Sequence, residues 1–267
     1  MIRVTLLGTG GSAGVPMIGG PDGSGDWGAC DPAEPRNRRT RASIAVQMGQ
    51  GAEQRTLLVD TGPDMRAQLI AGGIGRVDAI LYTHAHADHI TGLDDVRILN
   101  RIVGRPLQAF GTAATMEDII GRFPYAFRPW KPPGFYRPVM EPVVVEPDAE
   151  IAPAAIPLRL FDQDHGMVRT LGLRVGGFGY STDVVRLDER AFEVLAGVDT
   201  WVVGCFQRGP HRTHARLSEV LTWVERLRPR HTILTHMGPD LDWAWLRANL
   251  PAGVEPGFDG MVLELDG

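Results

Sequence analysis

One short string of the sequence carries four side chains that can bind a metal: Thr83-His84-Ala85-His86-Ala87-Asp88-His89. The string follows a predicted strand, and in an extended backbone residues two apart project to the same side, so His84 and His86 can bind one cation together. Asp88 and His89 lie past the bend, where a helical turn would direct them at a second cation beside the first. Imidazole nitrogen with carboxylate oxygen suits Zn²⁺, Mn²⁺ or Fe²⁺, and the lack of thiolates argues against a purely structural zinc.

Two neighbouring cations need more ligands than this string supplies. Downstream, His165 and His236 follow predicted strands, and Asp183 follows Phe178-Gly179-Tyr180-Ser181-Thr182. The predicted assignment is His84, His86 and His165 on one metal, Asp88, His89 and His236 on the other, and Asp183 as the bridging carboxylate. Two ions roughly 3.5 to 4 Å apart lower the pKa of a bridging water and stabilise the entering and leaving oxygens of a displacement. Asp60, at the end of its own strand, is expected to orient a ligand imidazole.

The predicted strands and helices place these residues at strand ends. Hydrophobic runs between turn residues predict strands at Ile2–Leu7, Ser43–Met48, Thr56–Val59, Val77–Tyr82, Val143–Val145, Leu158–Phe161, Leu171–Val175, Val202–Cys205 and Thr232–Thr235. Helices are predicted after Asp60-Thr61-Gly62-Pro63, with Met65, Leu69 and Ile70 on the apolar face, from Thr112 to Ile120, and over Leu217–Leu227. Gly8–Pro35 and Phe123–Pro138 are predicted to be irregular, the second as a loop or lid. The order of elements indicates one α/β domain over residues 1–267.

The composition limits the class of protein. Of 267 residues, 43% are hydrophobic, which suffices for a core, and the formal net charge of −5 argues against extended nucleic acid or an anionic membrane as partners. Only Cys30 and Cys205 are cysteines, the start does not resemble a signal peptide, and no run approaches the roughly 18 apolar residues of a membrane helix. We therefore expect a cytoplasmic protein acting on a small substrate, and a homodimer is compatible with the sequence.

Three further features of the sequence each have a functional and a simpler interpretation. Gly8-Thr9-Gly10-Gly11-Ser12-Ala13 matches a dinucleotide-binding pattern, but the glycines and prolines that follow exclude the required helix. These glycines are instead expected to let the backbone pass beside the metals. The basic run from Arg36 to Arg41 is either a solvated turn or a phosphate clamp, with Arg38 and Arg39 on a terminal phosphate. Aromatic residues of the predicted lid could stack on a base or sugar, or pack on the surface: Phe127, Trp130 and Tyr136.

The pattern His-x-His-x-Asp-His, with spaced His, Asp and His downstream, resembles the metallo-β-lactamase superfamily. The resemblance extends from Leu7-Gly8-Thr9-Gly10-Gly11-Ser12 to Gly257-Phe258-Asp259-Gly260-Met261. It implies a four-layer αβ/βα sandwich with a dinuclear metal site at one edge. Within the superfamily, the chain is most similar to the phosphoribosyl cyclic phosphodiesterases of bacterial phosphonate breakdown, through Gly8-Thr9-Gly10-Gly11-Ser12-Ala13-Gly14-Val15-Pro16, Arg38-Arg39, Ile233-Leu234-Thr235-His236 and Phe258-Asp259-Gly260-Met261.

This resemblance implies attack by a metal-bridging hydroxide on a small phosphodiester, with a cyclic phosphate on ribose or a nucleotide as the expected substrate. The metals would be two divalent ions, Mn²⁺ or Zn²⁺, with Fe²⁺ as a further option. His214 matches the histidine that serves the leaving group, and we expect it at a helix N-terminus with a neutral-range pKa, as a general acid. Asp88 is expected to act in catalysis as well as in metal binding. The family's structural zinc is not expected, because the first loop holds only Cys30 and Pro239 stands three residues after His236, where the family has histidine.

Other functions share parts of this pattern. A tRNA 3′-end processing nuclease has the same metal motif but needs a protruding basic arm, for which this sequence has no insert. A thioester or lactam hydrolase would keep the metals without a need for His214 or the arginines. A structural metal clamp would close the coordination and leave no exchangeable water. The simplest interpretation of the string is a loop of solvated histidines, and His211 and His231 are interpreted as ordinary polar residues.

Overall fold

The computed structural model describes residues 1–129 and 137–265 of the chain. The strands in that part are β1 (Ile2–Gly8), β2 (Ser43–Met48), β3 (Arg55–Val59), β4 (Ala79–Leu81), β5 (Leu107–Gly111), β6 (Met140–Val144), β7 (Glu150–Ile151), β8 (Leu158–Asp164), β9 (Arg169–Val175), β10 (Phe178–Ser181), β11 (Thr200–Gly204), β12 (His231–Thr235), β13 (Val254–Pro256) and β14 (Met261–Leu265). The α-helices are α1 (Met65–Ala71), α2 (Ala87–Ile90), α3 (Val96–Val103), α4 (Ala113–Arg122), α5 (Glu189–Leu195), α6 (Leu217–Leu227) and α7 (Trp243–Asn249).

The strands form two mixed sheets of seven strands each. The first has the order β14-β1-β2-β3-β4-β5-β6, and the second has the order β13-β12-β11-β10-β9-β8-β7. Strands β3 to β6 run parallel to one another, and so do β10 to β13, whereas the other neighbouring pairs are antiparallel. Both sheets therefore have an antiparallel half and a parallel half.

The sheets are buried on both faces, which explains the nearly continuous apolar runs of their strands. Leu57 belongs to the central core between the two sheets, whereas its neighbour Leu58 packs with the helices over the first sheet. The second sheet shows the same alternation, since Ile233 lies in the central core and Leu234 packs under the helices on the outer face. The layers are helices, sheet, sheet and helices, so the predicted four-layer αβ/βα sandwich is confirmed.

The carboxyl ends of parallel strands from both sheets lead to the residues predicted to bind metal. Asp60 follows β3, Asp183 follows β10, and His236 follows β12 directly. The strand β4 ends three residues before His84. In α/β proteins, ligands bind outside the carboxyl ends of parallel strands, and here two sheets contribute such ends to one place.

The predicted boundaries of helices and strands agree closely with the structure where the hydrophobic residues recur at a regular spacing. Helix α6 and strand β2 have the predicted bounds, and the side chain of Thr112 caps α4 by accepting the N–H of Thr115. The prediction for Ile70 was wrong, because 67% of its surface is exposed. The helices α3, α5 and α7 were not predicted. Of the predicted lid, Phe123–Arg128 surrounds a short 3-10 helix, and Trp130 and Tyr136 lie outside the described residues.

Among the described residues, no helix combines the length and the apolar character that crossing a membrane would demand.

Candidate metal centre

The string after β4 changes from extended to helical backbone in its middle. His86 has an extended backbone and stands as the N-cap of α2, so Asp88 and His89 lie in the first turn of this helix. His84 and His89 are buried, whereas His86 is exposed. The bend predicted from the sequence therefore separates the four side chains into two pairs.

The first pair joins a histidine from the second sheet. The donor atoms of His84, His86 and His165 all lie within 4.8 Å of one another. Nε2 of His165 is 3.3 Å from Nδ1 of His86. This set is open to solvent on the side of His86, so a small ligand can reach it.

The second pair joins two residues that follow β10 and β12. Donor atoms of Asp88, His89, Asp183 and His236 also lie within 4.8 Å of one another. Apart from the partly exposed Asp88, these side chains are buried. The structure thus brings together the same two groups of ligands that the sequence predicted.

Asp183 lies between the two sets. Its Oδ1 atom is 3.6 Å from Nε2 of His165 and 3.2 Å from Nε2 of His236. Its Oδ2 atom is 3.1 Å from Nε2 of His89 and accepts a hydrogen bond of 2.7 Å from the hydroxyl of Thr182. Because its oxygens face donors of both sets, Asp183 has the position of a bridging carboxylate.

Three of these acidic and imidazole residues have left-handed backbones. The φ angles are 67° at Asp60, 47° at Asp183 and 53° at His236. Non-glycine residues avoid this region, at a cost of about 1 to 3 kcal/mol each, and such residues concentrate at functional sites. The turn that each φ produces at a strand end directs the side chain into the cluster rather than along the sheet.

Hydrogen bonds at the outer ring nitrogens fix the tautomers of three ligand histidines. Nδ1 of His89 is 2.7 Å from Oδ2 of Asp60, and Nδ1 of His165 is 2.6 Å from the main-chain oxygen of Thr213. Both partners can only accept, so Nδ1 carries the proton in each ring and the lone pair of Nε2 faces inward.

The third tautomer depends on Thr83. Its hydroxyl donates to Oδ2 of Asp60 at 2.8 Å and can therefore only accept at Nδ1 of His84, 3.1 Å away. The proton of His84 is thus on Nδ1, and its Nε2 lone pair also faces the cluster. Asp60 therefore orients imidazoles of both ligand sets, directly for His89 and through Thr83 for His84.

These inward nitrogens test whether the residues fit a metal. The Nε2 atoms of His84, His89 and His236 are buried and have no hydrogen-bond partner among the described residues. For His84 and His89, the lone pair of Nε2 faces a carboxylate oxygen of Asp183, 3.9 Å and 3.1 Å away. Two acceptors opposed in a buried site repel each other unless a cation lies between them. The donor set therefore fits divalent metal ions.

The protonation states of Asp183 and His84 suit metal binding. Burial opposes the charge of Asp183, but the imidazoles of His236 and His89 hold its pKa well below the usual range. Burial, with the neighbouring His89, lowers the pKa of His84 well below its ordinary value. An ionised carboxylate and a neutral imidazole are the forms that bind a cation without first losing a proton. At His89 burial opposes the charge, but the carboxylates of Asp183 and Asp60 raise its pKa well above the ordinary value, so a metal ion has to displace a proton from Nε2 there.

His214 lies against this cluster, although not as predicted. Its Nδ1 atom is 3.9 Å from Oδ1 of Asp183, and its ring stacks on that of His236 at a centroid distance of 4.7 Å. It belongs to the loop before α6, whose N-cap is Arg216, and not to the helix N-terminus. Burial and the neighbouring His236 lower the pKa of His214 to about 3, so the expected neutral-range pKa is wrong for this arrangement. The neutral ring can donate one hydrogen bond to a substrate oxygen.

Phe206 is a site residue that sequence reasoning missed. Its ring lies 4.8 Å from that of His214 and 6.1 Å from that of His236, between centroids. Gly11 passes beside it, since a Cβ atom added there would be 2.7 Å from Cε2 of Phe206 and 3.5 Å from Cε1 of His236. The prediction that these glycines let the backbone pass beside the metal residues therefore matches the geometry. The position of Phe206 after a strand end was the available signal.

Arg39 is placed differently from the prediction. Only 1% of its surface is exposed, and its guanidinium donates to the main-chain oxygens of Gly238 at 3.1 Å and Leu241 at 2.6 Å. This corrects the phosphate-clamp hypothesis for Arg39, because a guanidinium held by main-chain oxygens does not face a ligand. Arg38 is exposed, with its guanidinium 5.1 Å from the ring of Trp27.

A family model described as a beta-lactamase superfamily domain matches residues 55–237, which include the complete cluster. The chain belongs to the metallo-β-lactamase superfamily. Its fold matches the crystal structure of a new diphosphatase from the PhnP family at 32% identity and a TM-score of 0.87, covering 100% of this chain and 98% of the other. The family model confirms the predicted superfamily, and the structural match shows the similarity of this chain to a PhnP-family protein.

Two curated relatives are similar in sequence. An octanoyltransferase of Porphyromonas gingivalis is 28% identical over 271 residues, which cover 99% of this chain and 52% of that protein. A ribonuclease Z of Mycolicibacterium gilvum is 32% identical over 139 residues, covering 47% of this chain and 38% of the ribonuclease. The chain spans about half the length, or less, of these relatives. Family membership and the histidine and aspartate cluster are in keeping with the predicted metal-dependent hydrolase.

Proposed function

We propose that this chain hydrolyses small phosphodiesters with two divalent metal ions. The observation that carries the proposal is the position of Asp183, whose carboxylate oxygens face imidazole nitrogens of two separate ligand sets. Two ions held on either side of this carboxylate would supply a water of lowered pKa and neutralise charge on a phosphoryl oxygen. Mn²⁺, Zn²⁺ and Fe²⁺ all suit such ligands.

The protein's own residues would orient the reacting groups. Asp60 holds the ring of His89 and, through Thr83, that of His84, so the ligand geometry is set before any substrate arrives. The neutral ring of His214 can donate a hydrogen bond to a phosphoryl or leaving-group oxygen. The exposure of His86 leaves room for a small phosphorylated substrate on that side.

A second candidate is the hydrolysis of a diphosphate bond, which also attacks phosphorus. It is favoured by the full-length likeness to a protein described as a diphosphatase, at 32% identity. The ribonuclease Z matches cover less than half of this chain, and the net charge of −5 suits a small substrate better than tRNA. We therefore place tRNA processing below both small-molecule candidates.

The test is a turnover screen of the manganese-loaded and zinc-loaded protein. We expect hydrolysis of bis(4-nitrophenyl) phosphate and of cyclic nucleotides or ribose phosphates, with no comparable turnover of a thioester. His86→Ala should abolish this hydrolysis while the far-ultraviolet circular dichroism spectrum stays unchanged, because His86 is exposed. Thioester turnover alone, or intact activity of His86→Ala, would contradict the proposal. Chelation that unfolds the chain without any activity in the loaded protein would favour a structural clamp.

A further inference from the structure

The loop between β11 and α6 forms one wall of the metal centre. It is held in place at both ends, since the N–H of Phe206 donates to the oxygen of Ala215 at 3.0 Å and the oxygen of Thr213 accepts from His165 at 2.6 Å. Within it, the side-chain amide of Gln207 donates to the oxygen of Pro210 at 2.9 Å. The loop therefore presents its tip in a defined conformation.

His211 lies at this tip, next to the residues already described. Its ring centroid is 5.0 Å from that of His214 and 4.9 Å from that of Phe206, and the residue is exposed. The main-chain N–H of Thr213, which can only donate, points at Nδ1 of His211 at 3.4 Å. Nδ1 must therefore accept, so the proton of the neutral ring is on Nε2. His211 thus offers an N–H donor one ring beyond His214.

Arg212 follows directly and differs from the other arginines of the loop. Arg208 pairs with Asp240 at 3.6 Å and lies over the ring of Trp245, and Arg216 pairs with Glu219 at 3.2 Å. For the exposed Arg212, no hydrogen bond or ion pair of the guanidinium occurs within residues 1–129 and 137–265. An exposed guanidinium with no such partner, on the residue next to an N–H donor in the chain, is a chemical match for a phosphoryl group.

Resting on the proposed function, we propose that His211 and Arg212 bind a second phosphoryl group of the substrate. The first phosphoryl group would lie at the metal centre beside His214, and the second would accept hydrogen bonds from Nε2–H of His211 and the guanidinium of Arg212. The preferred substrates are then molecules with two phosphoryl groups, either a diphosphate or a phosphodiester with a second phosphate. A phosphodiester with one phosphoryl group would use the metal centre alone.

The test compares two substrates in the metal-loaded enzyme: adenosine diphosphate ribose, with two phosphoryl groups, and bis(4-nitrophenyl) phosphate, with one. We expect Arg212→Gln to lower the ratio of kcat/KM for the first over the second roughly 10- to 100-fold, the value of a charge-assisted contact. Arg208→Gln is the matched control, since it removes a paired arginine of the same loop and should leave the ratio unchanged. An unchanged ratio in Arg212→Gln, or an equal loss in both variants, would overturn the inference.

A binding measurement separates this inference from the proposed function. By calorimetry, adenosine diphosphate should bind the metal-loaded wild type at least 10-fold more tightly than adenosine monophosphate, and Arg212→Gln should remove most of that difference. This difference can be observed even if the wild type hydrolyses neither substrate, in which case only the proposed function fails. Equal affinity of wild type and variant for adenosine diphosphate would reject the second phosphoryl site whatever the turnover.

Discussion

Oδ2 of Asp60 lies 2.7 Å from Nδ1 of His89, and both side chains are completely buried. The same carboxylate accepts the N–H and the hydroxyl of Thr83, each at 2.8 Å, and thereby fixes His84 as well. One residue outside the ligand set thus orients imidazoles of both metal sets. The backbone of Asp60 is left-handed, so its position in the fold costs strain energy that the surrounding contacts must offset.

Asp60→Asn should therefore weaken metal binding without removing any ligand. We expect about a 10- to 100-fold loss of metal affinity. The asparagine amide is neutral and has one acceptor oxygen, so it cannot accept all the hydrogen bonds that the carboxylate accepts from the imidazole of His89 and from the N–H and hydroxyl of Thr83. Competition with a chromophoric chelator measures this affinity. Asp162→Asn, which breaks the surface pair with Arg169, is the control and should bind metal like wild type. Wild-type affinity in Asp60→Asn would contradict the orienting role.

His214→Ala should lower kcat while metal binding is kept. A donor nitrogen of His214 lies within 4.8 Å of donor atoms of His165 and Asp183, but each of the two donor sets has at least three ligands without it. Removal of one positioned donor at a reacting oxygen costs about 100-fold or more in kcat. Metal content by plasma mass spectrometry should match the wild type, and His231→Ala, whose ring pairs with Glu255, should retain activity. Loss of metal in His214→Ala would mean that this residue is a ligand.

Gly11→Ala should disturb the site through Phe206. The added Cβ would lie 2.7 Å from the ring of Phe206, closer than such atoms approach, so the ring or the strand-end loop must move. We expect a loss of about 1 to 3 kcal/mol in the free energy of unfolding, measured by denaturant titration, together with reduced kcat. Gly75→Ala is a matched control, because a Cβ there meets open space. Equal behaviour of the two variants would show that the close approach at Gly11 is unimportant.

Arg39→Met should destabilise the protein rather than weaken substrate binding selectively. The change leaves the buried oxygens of Gly238 and Leu241 without their donor, at a cost of about 2 to 4 kcal/mol in the free energy of unfolding. Arg38→Met, at the exposed neighbouring position, should leave stability within about 0.5 kcal/mol. Chemical denaturation of both variants checks this contrast. A stable Arg39→Met with a raised KM would restore the phosphate-clamp hypothesis.

The metal-binding residues could be predicted because the sequence shows both their residue types and their positions relative to the predicted strands. The spacing of His84, His86, Asp88 and His89 is local, and His165 and His236 follow strands that the hydrophobic pattern predicts. The strand before Asp183, β10, was not among the predicted strands. The residues that fix the histidine tautomers are harder to predict. Thr83 acts through a hydroxyl and Thr213 through a main-chain oxygen, and no sequence motif marks either group as a partner of a histidine. Their roles depend on tertiary distances alone.

Arg39 shows the opposite difficulty. An arginine beside other arginines has the composition of an anion-binding turn, and only tertiary packing reveals that its partners are main-chain oxygens. The short helices α5 and α7 were missed because seven residues give too little periodicity to separate a helix from a loop. The pKa of His214 could not be predicted either, because it depends on burial against His236.

The central claim is that two ions bind on either side of Asp183, and metal titration of chelator-treated protein tests it most directly. Calorimetry with Mn²⁺ or Zn²⁺ should give two equivalents per chain in the wild type, with phosphodiester hydrolysis appearing as the second equivalent binds. Asp183→Asn should lose high-affinity binding at both positions, since its carboxylate faces both ligand sets. A single equivalent in the wild type, or full hydrolysis by protein freed of metal, would contradict the account.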